Sequence, residues 1–290
     1  MKPPPFEYHA PRDVGEALRT LAEVRGKVLA GGQSLIPMLN MRLAAPEHVV
    51  DINRIASLDS MAETPAGLGV GALVRHARVE RSRAHPLLVR ALRLVAHPVI
   101  RNRGTVVGSL VHADPAAELP AVLAVLGGHV RVARWDGTAE AVREVDARAF
   151  FVGPMESAVQ PGELAVSAFF PALGPRTGAA FEEVSRRHGD YALAGACAVV
   201  TLDEDGRVAA ARVACVGVGP VPVVVDLAEA CGGAPAHAAD WAALARAVRE
   251  ETEPEGDIHA SAAYRRHLVG VLAERALRNA AREGAAARAA

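Results

Sequence analysis

Two short stretches of small residues constrain the fold of this 290-residue chain more than any other feature. The first loop is residues 28–35 and the second loop is residues 101–110, so they lie about seventy residues apart. Each places glycine and a hydroxyl residue directly after an apolar run. Because glycine has no Cβ, backbone amides in such loops can approach a phosphate closely. Together, the two loops predict a diphosphate that is held from both sides.

Taken alone, the first loop leaves two interpretations open. A short buried strand, then Gly31 and Gly32, then a helix that begins at Ser34 is typical of a phosphate site at a helix N-terminus. The loop matches neither the dinucleotide-binding fingerprint nor the Walker A motif. A tight turn between a strand and a helix would show the same residues.

The second loop adds the hydroxyls of Thr105 and Ser109, and Gly108 allows close backbone approach. His112, Asp114 and Glu118 follow, so a metal site is one interpretation of this stretch.

Pro115 interrupts the ligand spacing of that metal site. We therefore expect Asp114 to cap a helix that begins at Pro115. Glu118, one turn further on, is expected to face a polyol hydroxyl.

Composition excludes several classes of protein. The formal net charge is −1, which argues against a nucleic-acid binder. No apolar run approaches the roughly 20 residues needed to span a bilayer, and no signal-peptide pattern opens the chain, so we expect a cytoplasmic protein. The cysteines at 197, 215 and 231 match no metal-binding spacing, so we expect buried thiols and neither a metal nor an iron–sulfur cluster on this chain.

The hydrophobic pattern predicts an α+β protein in three parts. Residues 1–57 are predicted to form a small α/β unit, in which Asp13 is expected to cap a helix over residues 14–25. Residues 58–175 are predicted to be richer in strands, two of which, at 130–133 and 140–145, should pair around the turn at 135–137. Residues 176–290 are predicted to form a C-terminal domain. In that domain we expect three antiparallel strands, at 181–187, 196–202 and 207–218, and two amphipathic helices. The alanine-rich residues 284–290 are expected to fray.

Two further segments have competing interpretations. Residues 186–191, which end at Tyr191, are either a solvated turn or a cofactor contact. In residues 257–261, Ser261 is expected to cap a helix. No Ser/His/Asp or Cys/His set is evident, so we predict no catalytic residue on this chain.

Several motifs occur in a fixed order over almost the whole chain, at residues 5–8, 30–38, 51–53, 101–105, 112–120, 187–191 and 257–266. In this order they resemble the FAD-binding medium subunits of molybdenum hydroxylases, the family of xanthine dehydrogenase and aerobic carbon monoxide dehydrogenase. The resemblance implies a PCMH-type (vanillyl-alcohol-oxidase-like) FAD-binding domain of two α/β lobes, followed by a C-terminal domain.

The resemblance also implies which residues bind FAD. Asp114 and Glu118 would lie near the ribityl and sugar hydroxyls, and Tyr191 would pack over one face of the isoalloxazine. Leu164 and Ala165 would approach the cofactor. The remaining cofactor-binding residues, at or beside the diphosphate, would be Val28, Leu29, Ala30, Gly31, Gly32, Gln33, Ser34, Leu35, Thr105, Val106, Val107, Gly108 and Ser109.

A role in electron transfer follows from the same resemblance. A small partner subunit would hold [2Fe–2S] clusters, and a large one would hold the molybdenum cofactor, in a dimer of heterotrimers. FAD on this chain would pass electrons to a quinone, NAD or dioxygen. The alternatives are a stand-alone flavin oxidoreductase of the same fold and a scaffold subunit that has lost FAD.

Val107 motivates the scaffold alternative, because the family usually has glycine at this position. If the backbone there requires a positive φ, a β-branched residue is strained. The valine side chain would otherwise crowd the phosphate. We therefore expect that either the loop shifts or FAD binds less tightly.

Overall fold

The computed structural model describes residues 2–289. Its first region is a three-stranded parallel sheet in the order β1–β3–β2, flanked by two helices. The cap predicted for the first helix is confirmed, since Asp13 accepts a hydrogen bond from the amide of Glu16 at 2.8 Å. The elements are β1 (Glu7–His9), α1 (Val14–Val24), β2 (Lys27–Leu29), α2 (Leu35–Asn40) and β3 (His48–Asp51).

The second region is built on a five-stranded antiparallel sheet in the order β4–β5–β10–β6–β7. The predicted pairing of two strands around the turn at residues 135–137 is confirmed by β6 and β7. The strands are β4 (Met61–Thr64), β5 (Gly67–Gly71), β6 (His129–Trp135), β7 (Glu140–Asp146), β8 (Phe151–Gly153), β9 (Glu156–Ser157) and β10 (Glu163–Pro171). The helices are α3 (His76–Ser82), α4 (Pro86–Leu94), α5 (Pro98–Arg101), α6 (Val106–His112), α7 (Glu118–Leu126) and α8 (Ala147–Phe150).

The C-terminal sheet has four antiparallel strands, so the prediction of three is wrong. The missed edge strand, Val223–Asp226, is only four residues long. Its three valines are all half-buried, so buried and exposed side chains do not alternate along it. It therefore lacks the period of two by which strands are recognised. The elements are β11 (Thr177–Ser185), β12 (Ala192–Leu202), β13 (Val208–Val216), β14 (Val223–Asp226), α9 (Trp241–Glu250) and α10 (Ala262–Ala289).

The C-terminal end does not fray at residue 284, contrary to our expectation. Helix α10 continues to Ala289, and Gly284 is packed so closely that a Cβ there would lie 2.9 Å from the carbonyl oxygen of Arg176. At the other end of this helix, Ser261 Oγ accepts a hydrogen bond from the amide of Tyr264 at 3.2 Å, which confirms the predicted cap.

The hydrophobic core is shared between the regions. Helix α7 is buried at every position from Glu118 to Val125, between the five-stranded sheet and the C-terminal sheet. The core around it includes Phe181 and Cys197 of the C-terminal sheet. A second core fills the space between the other face of that sheet and helices α9 and α10. The three cysteines are buried as free thiols, as predicted.

The strands of the three larger sheets lie within residues 1–57, 58–175 and 176–290 respectively, although the domain boundaries themselves stay a prediction. Among residues 2–289, no helix combines the length and the apolar character that crossing a membrane requires.

Candidate functional site

A cleft of about 700 Å³ lies where the first and second regions face the turn that precedes β12. Its volume is in the range of small-molecule and cofactor sites. Both loops contribute to its wall. The predicted site residues that line it are Ala30, Gly31, Gly32, Gln33, Ser34, Leu35, Thr105, Gly108, Ser109, Asp114, Glu118 and Tyr191.

The first loop depends on its two glycines. A Cβ at Gly31 would lie 2.5 Å from the carbonyl oxygen of Arg103, so this residue packs backbone to backbone against the second loop. Gly32 has a φ of +74°, a conformation that residues with a Cβ rarely adopt. Gln33 Nε2 donates a hydrogen bond to Gly31 O at 3.2 Å and closes the loop. The small residues here therefore bring two segments of backbone together.

Two polar side chains join the loops. Asn53 Nδ2 donates to the carbonyl oxygen of Ala30 at 2.8 Å, and Arg75 donates to Asn53 Oδ1 at 2.6 Å. Arg75 also donates to the carbonyl oxygen of Arg103 in the second loop. Sequence reasoning missed Arg75, because no local motif marks a side chain that acts between two distant loops.

The second loop is the start of a helix. Thr105 caps α6, and its Oγ1 accepts a hydrogen bond from the amide of Gly108 at 3.1 Å. Thr105, Gly108 and Ser109 lie on the cleft, whereas Val106 and Val107 are buried in the hydrophobic core.

The expected conflict at Val107 is therefore absent. Val107 lies in the first turn of α6 and is not among the described residues with positive φ, so the predicted strain is wrong. Its side chain is 2% exposed and does not line the cleft, so it does not crowd a ligand there. A β-branched residue packs normally in the core at this helical position.

His76, at the start of α3, contacts the second loop through its buried ring. Its Nε2 lies 2.9 Å from the carbonyl oxygen of Thr105 and 3.0 Å from Ser109 Oγ. Burial lowers the pKa of His76 to about 4, so the ring is neutral at pH 7. Sequence reasoning missed this residue, because a single histidine with no other recognised site residue beside it gives no local signal.

The acidic side of the cleft differs from the prediction. Asp114 does not cap a helix at Pro115: its Oδ1 accepts from the amide of Ala116 at 2.8 Å, which closes a turn, and α7 begins only at Glu118. A short side chain that bonds two residues ahead stabilises a turn in place of a helix start.

Glu118, the first residue of α7, lines the cleft but is only 8% exposed. Burial, with a contribution from nearby Glu183, raises the pKa of Glu118 to about 8. Burial also raises the pKa of Glu183 to about 7. The Glu118 carboxyl is therefore largely protonated near pH 7 and is able to donate a hydrogen bond.

Residues 186–191 form a turn at the mouth of the cleft. Gly189 has a φ of +85°, and a Cβ there would lie 2.7 Å from His97 Cε1, so the turn packs closely against the segment before α5. Tyr191 is 69% exposed and lines the cleft. The turn thus places an aromatic ring at the opening, and a contact of that ring with a cofactor stays a prediction.

The other predicted site residues do not line the cleft. Val28 and Leu29 are half-buried in β2, which leads into the first loop. Leu164 and Ala165, in β10, are 2% and 6% exposed and belong to the core. A family resemblance locates a segment near a site, but it does not say which side chains of that segment face the core.

Metal ligation at His112, Asp114 and Glu118 finds no support. In the part of the chain that the structure describes, the one group whose ligand atoms converge is Glu7, His9 and His48, on the first sheet. Sequence reasoning missed this group, because its members come from two strands about forty residues apart.

Comparison with known proteins gives two consecutive matches. Residues 4–173 match the family described as FAD binding domain in molybdopterin dehydrogenase. Residues 179–280 match the CO dehydrogenase flavoprotein C-terminal domain. The chain belongs to the FAD-binding medium subunits of the molybdenum hydroxylase family. The resemblance inferred from the motifs is confirmed, and FAD is the cofactor of this medium subunit.

Individual relatives extend over the whole subunit. Subunit alpha of the 6-hydroxypseudooxynicotine dehydrogenase complex of Paenarthrobacter nicotinovorans is 41% identical, over 97% of this chain and 96% of its own length. Among solved structures, quinoline 2-oxidoreductase from Pseudomonas putida 86 aligns with a TM-score of 0.90 and 34% identity, over 98% of this chain and 99% of that one. Carbon monoxide dehydrogenase from Hydrogenophaga pseudoflava aligns with a TM-score of 0.87 and 35% identity, over 97% of this chain and 98% of that one.

The cleft of the medium subunit fits FAD by its chemistry. A diphosphate needs hydrogen-bond donors that approach closely, and the walls provide glycine backbone together with the hydroxyls of Ser34, Thr105 and Ser109. A polyol needs polar partners, and Asp114 and Glu118 lie further along the same cleft. The chain is an oxidoreductase subunit, and a cleft that fits FAD agrees with this class.

Proposed function

We propose that this chain is the electron-transfer subunit of a cytoplasmic heteromeric molybdenum hydroxylase. In this proposal its partners are a small subunit with two [2Fe–2S] clusters and a large subunit with the molybdenum cofactor, assembled as a dimer of heterotrimers. The observation that carries the proposal is the cleft between two glycine loops, in a chain of the medium-subunit family.

The two loops would hold the diphosphate from opposite sides. Gly31 and Gly32 would present backbone amides, and Thr105 and Ser109 would present hydroxyls. The neutral ring of His76 would fix the Ser109 hydroxyl, because its Nε2 lies 3.0 Å from Ser109 Oγ. Asn53 and Arg75 would keep the loops at a constant separation, since they bond to both.

The acidic side would bind the polyol. A protonated Glu118 donates a hydrogen bond to a hydroxyl oxygen and adds no negative charge beside a diphosphate. Tyr191 would cover one face of the flavin ring at the mouth of the cleft, where its side chain is exposed.

FAD, when bound, supplies the step from the one-electron chemistry of iron–sulfur clusters to the two-electron chemistry of a quinone, NAD or dioxygen. In this proposal the protein positions the cofactor and leaves one edge of it accessible. No side chain of the cleft is assigned as a general acid or base. The substrate-binding residues would lie on the large subunit, and the named relatives accordingly act on chemically different compounds.

The test uses the complex purified from its native source. We expect one FAD for each medium chain. Substrate added to the complex under anaerobic conditions should reduce the iron–sulfur clusters and bleach the visible flavin band. Removal of FAD should abolish reduction of the acceptor while reduction of the clusters by substrate continues. A subunit that oxidises a substrate without partners would support the stand-alone flavoenzyme. A colourless chain that takes up no FAD would support the scaffold alternative.

A further inference from the structure

We propose that Glu7, His9 and His48 form a binding site for a divalent transition-metal ion such as Zn²⁺ on one face of the three-stranded sheet. The site is separate from the cleft, since none of the three residues lines the cleft. The proposal does not depend on FAD binding or on electron transfer.

The sheet register brings the three side chains to the same face. In the parallel pair of β1 and β3, Glu7 is directly opposite His48. His9 follows Glu7 by two residues, and side chains two apart in a strand point to the same side of the sheet. The intervening Tyr8 faces the other way and donates a hydrogen bond to Asp51.

The spacing of the ligand atoms suits a tetrahedral ion. His9 Nε2 lies 3.1 Å from His48 Nδ1, and His48 Nδ1 lies 3.5 Å from Glu7 Oε2. With metal–ligand distances of about 2.0–2.2 Å, ligand atoms around a tetrahedral Zn²⁺ are roughly 3.3–3.6 Å apart. Two of the three separations are therefore close to those that an ion between the side chains would require, and the ligand atoms of all three residues lie within 4.8 Å of one another.

The donor set also selects the class of ion. Two imidazoles and one carboxylate favour Zn²⁺, Cu²⁺ or Ni²⁺ over Mg²⁺ and Ca²⁺, which prefer oxygen ligands. The Glu7 side chain is 76% exposed and that of His48 is 22% exposed, so an ion can reach the site and water can complete its coordination. Without a metal, the two rings share a single hydrogen bond in which one imidazole must be the donor.

A bound ion would cross-link β1 to β3. Strand β1 is a three-residue edge strand, and β3 pairs on its other side with β2, which leads into the first loop. An ion that binds only the folded protein stabilises it by mass action. Zinc would therefore secure the N-terminal strand to the sheet that carries the first loop.

The test is calorimetric titration of the chelator-treated full-length subunit with Zn²⁺. We expect one site in the wild type, and His9→Gln and His48→Gln should each weaken its affinity at least about tenfold, since even indirect partners of a metal site contribute that much. Glu7→Gln should weaken it less, because the exposed carboxylate is readily replaced by water. Zinc should raise the unfolding temperature of the wild type but not that of His48→Gln.

The matched control is His129→Gln. His129 lies 3.8 Å from Glu144, so it forms a surface histidine–glutamate pair without a second imidazole, and its loss should leave the zinc affinity unchanged. The flavin content of each variant shows whether that variant is folded. Glu7→Gln should not disturb the fold, because it removes only an exposed charge. Equal affinity in wild type and His48→Gln, or an anomalous zinc peak in a crystal away from these residues, would overturn the proposal.

Discussion

The two loops of the cleft resemble each other in sequence but are built in different ways. The first loop depends on its backbone: Gly31 packs against the carbonyl of Arg103, and Gly32 has a positive φ. The second loop is the capped start of a helix, in which Thr105 bonds the amide of Gly108 and Val107 is buried in the core. The first loop therefore depends on close backbone packing at Gly31, whereas Val107 of the second loop occupies a helical position that accepts a β-branched side chain.

The sharpest test of this difference is Val107→Gly. The change removes a fully packed side chain and places glycine in a helix, so the free energy of unfolding should fall by about 3 kcal/mol. The FAD affinity of the folded subunit should change less than about threefold, because this side chain does not reach the cleft. Urea unfolding and flavin titration measure the two quantities.

Val99→Gly is the matched control for Val107→Gly, because Val99 is also helical but 70% exposed. Its free energy of unfolding should fall by less than about 1 kcal/mol, because only the lower helix propensity of glycine contributes. A large gain in FAD affinity for Val107→Gly would mean that valine does impede the cofactor and that the two loops are equivalent after all.

The second test is Gly31→Ala. The added Cβ would lie 2.5 Å from the carbonyl oxygen of Arg103, so the loops must separate. Overpacking of this kind costs about 2 kcal/mol, and we expect FAD affinity to fall about thirtyfold. Gly69→Ala is the control, because the nearest atom to a Cβ there is 3.7 Å away. Undiminished FAD binding by Gly31→Ala would show that the contact between the loops is not what shapes the cleft.

The smallest expected effect is that of Thr105→Val. The variant keeps the shape of the side chain but loses the cap on the Gly108 amide, so stability should fall by about 1 kcal/mol. Thr105→Ser retains the hydroxyl and should remain within a few tenths of a kcal/mol of the wild type. If both variants unfold at the wild-type urea concentration, the cap does not hold the second loop.

Local patterns in the sequence were sufficient for features that depend on neighbouring residues. The Asp13 cap, the hairpin of β6 and β7 and the Ser261 cap are each decided within a few residues. The motif order also identified the family and the two loops. The structure shows that the loops meet at one cleft.

Features that depend on distant residues could not be predicted in this way. Arg75 matters because it reaches Asn53 and Arg103 at once, and His76 because it lies under Thr105 and Ser109. Similarly, nothing near Val107 says whether the backbone there is a loop or a helix. The structure resolves that question through the cap at Thr105.

The burial of α7 has a consequence for how such subunits can be divided. The two family matches end and begin at residues 173 and 179, yet α7 from the first packs on strands from the second. A chain cut between them would expose that helix and the inner face of the C-terminal sheet to water. The flavin-binding half is therefore not expected to fold on its own, because its helix α7 is covered by strands of the domain that follows it.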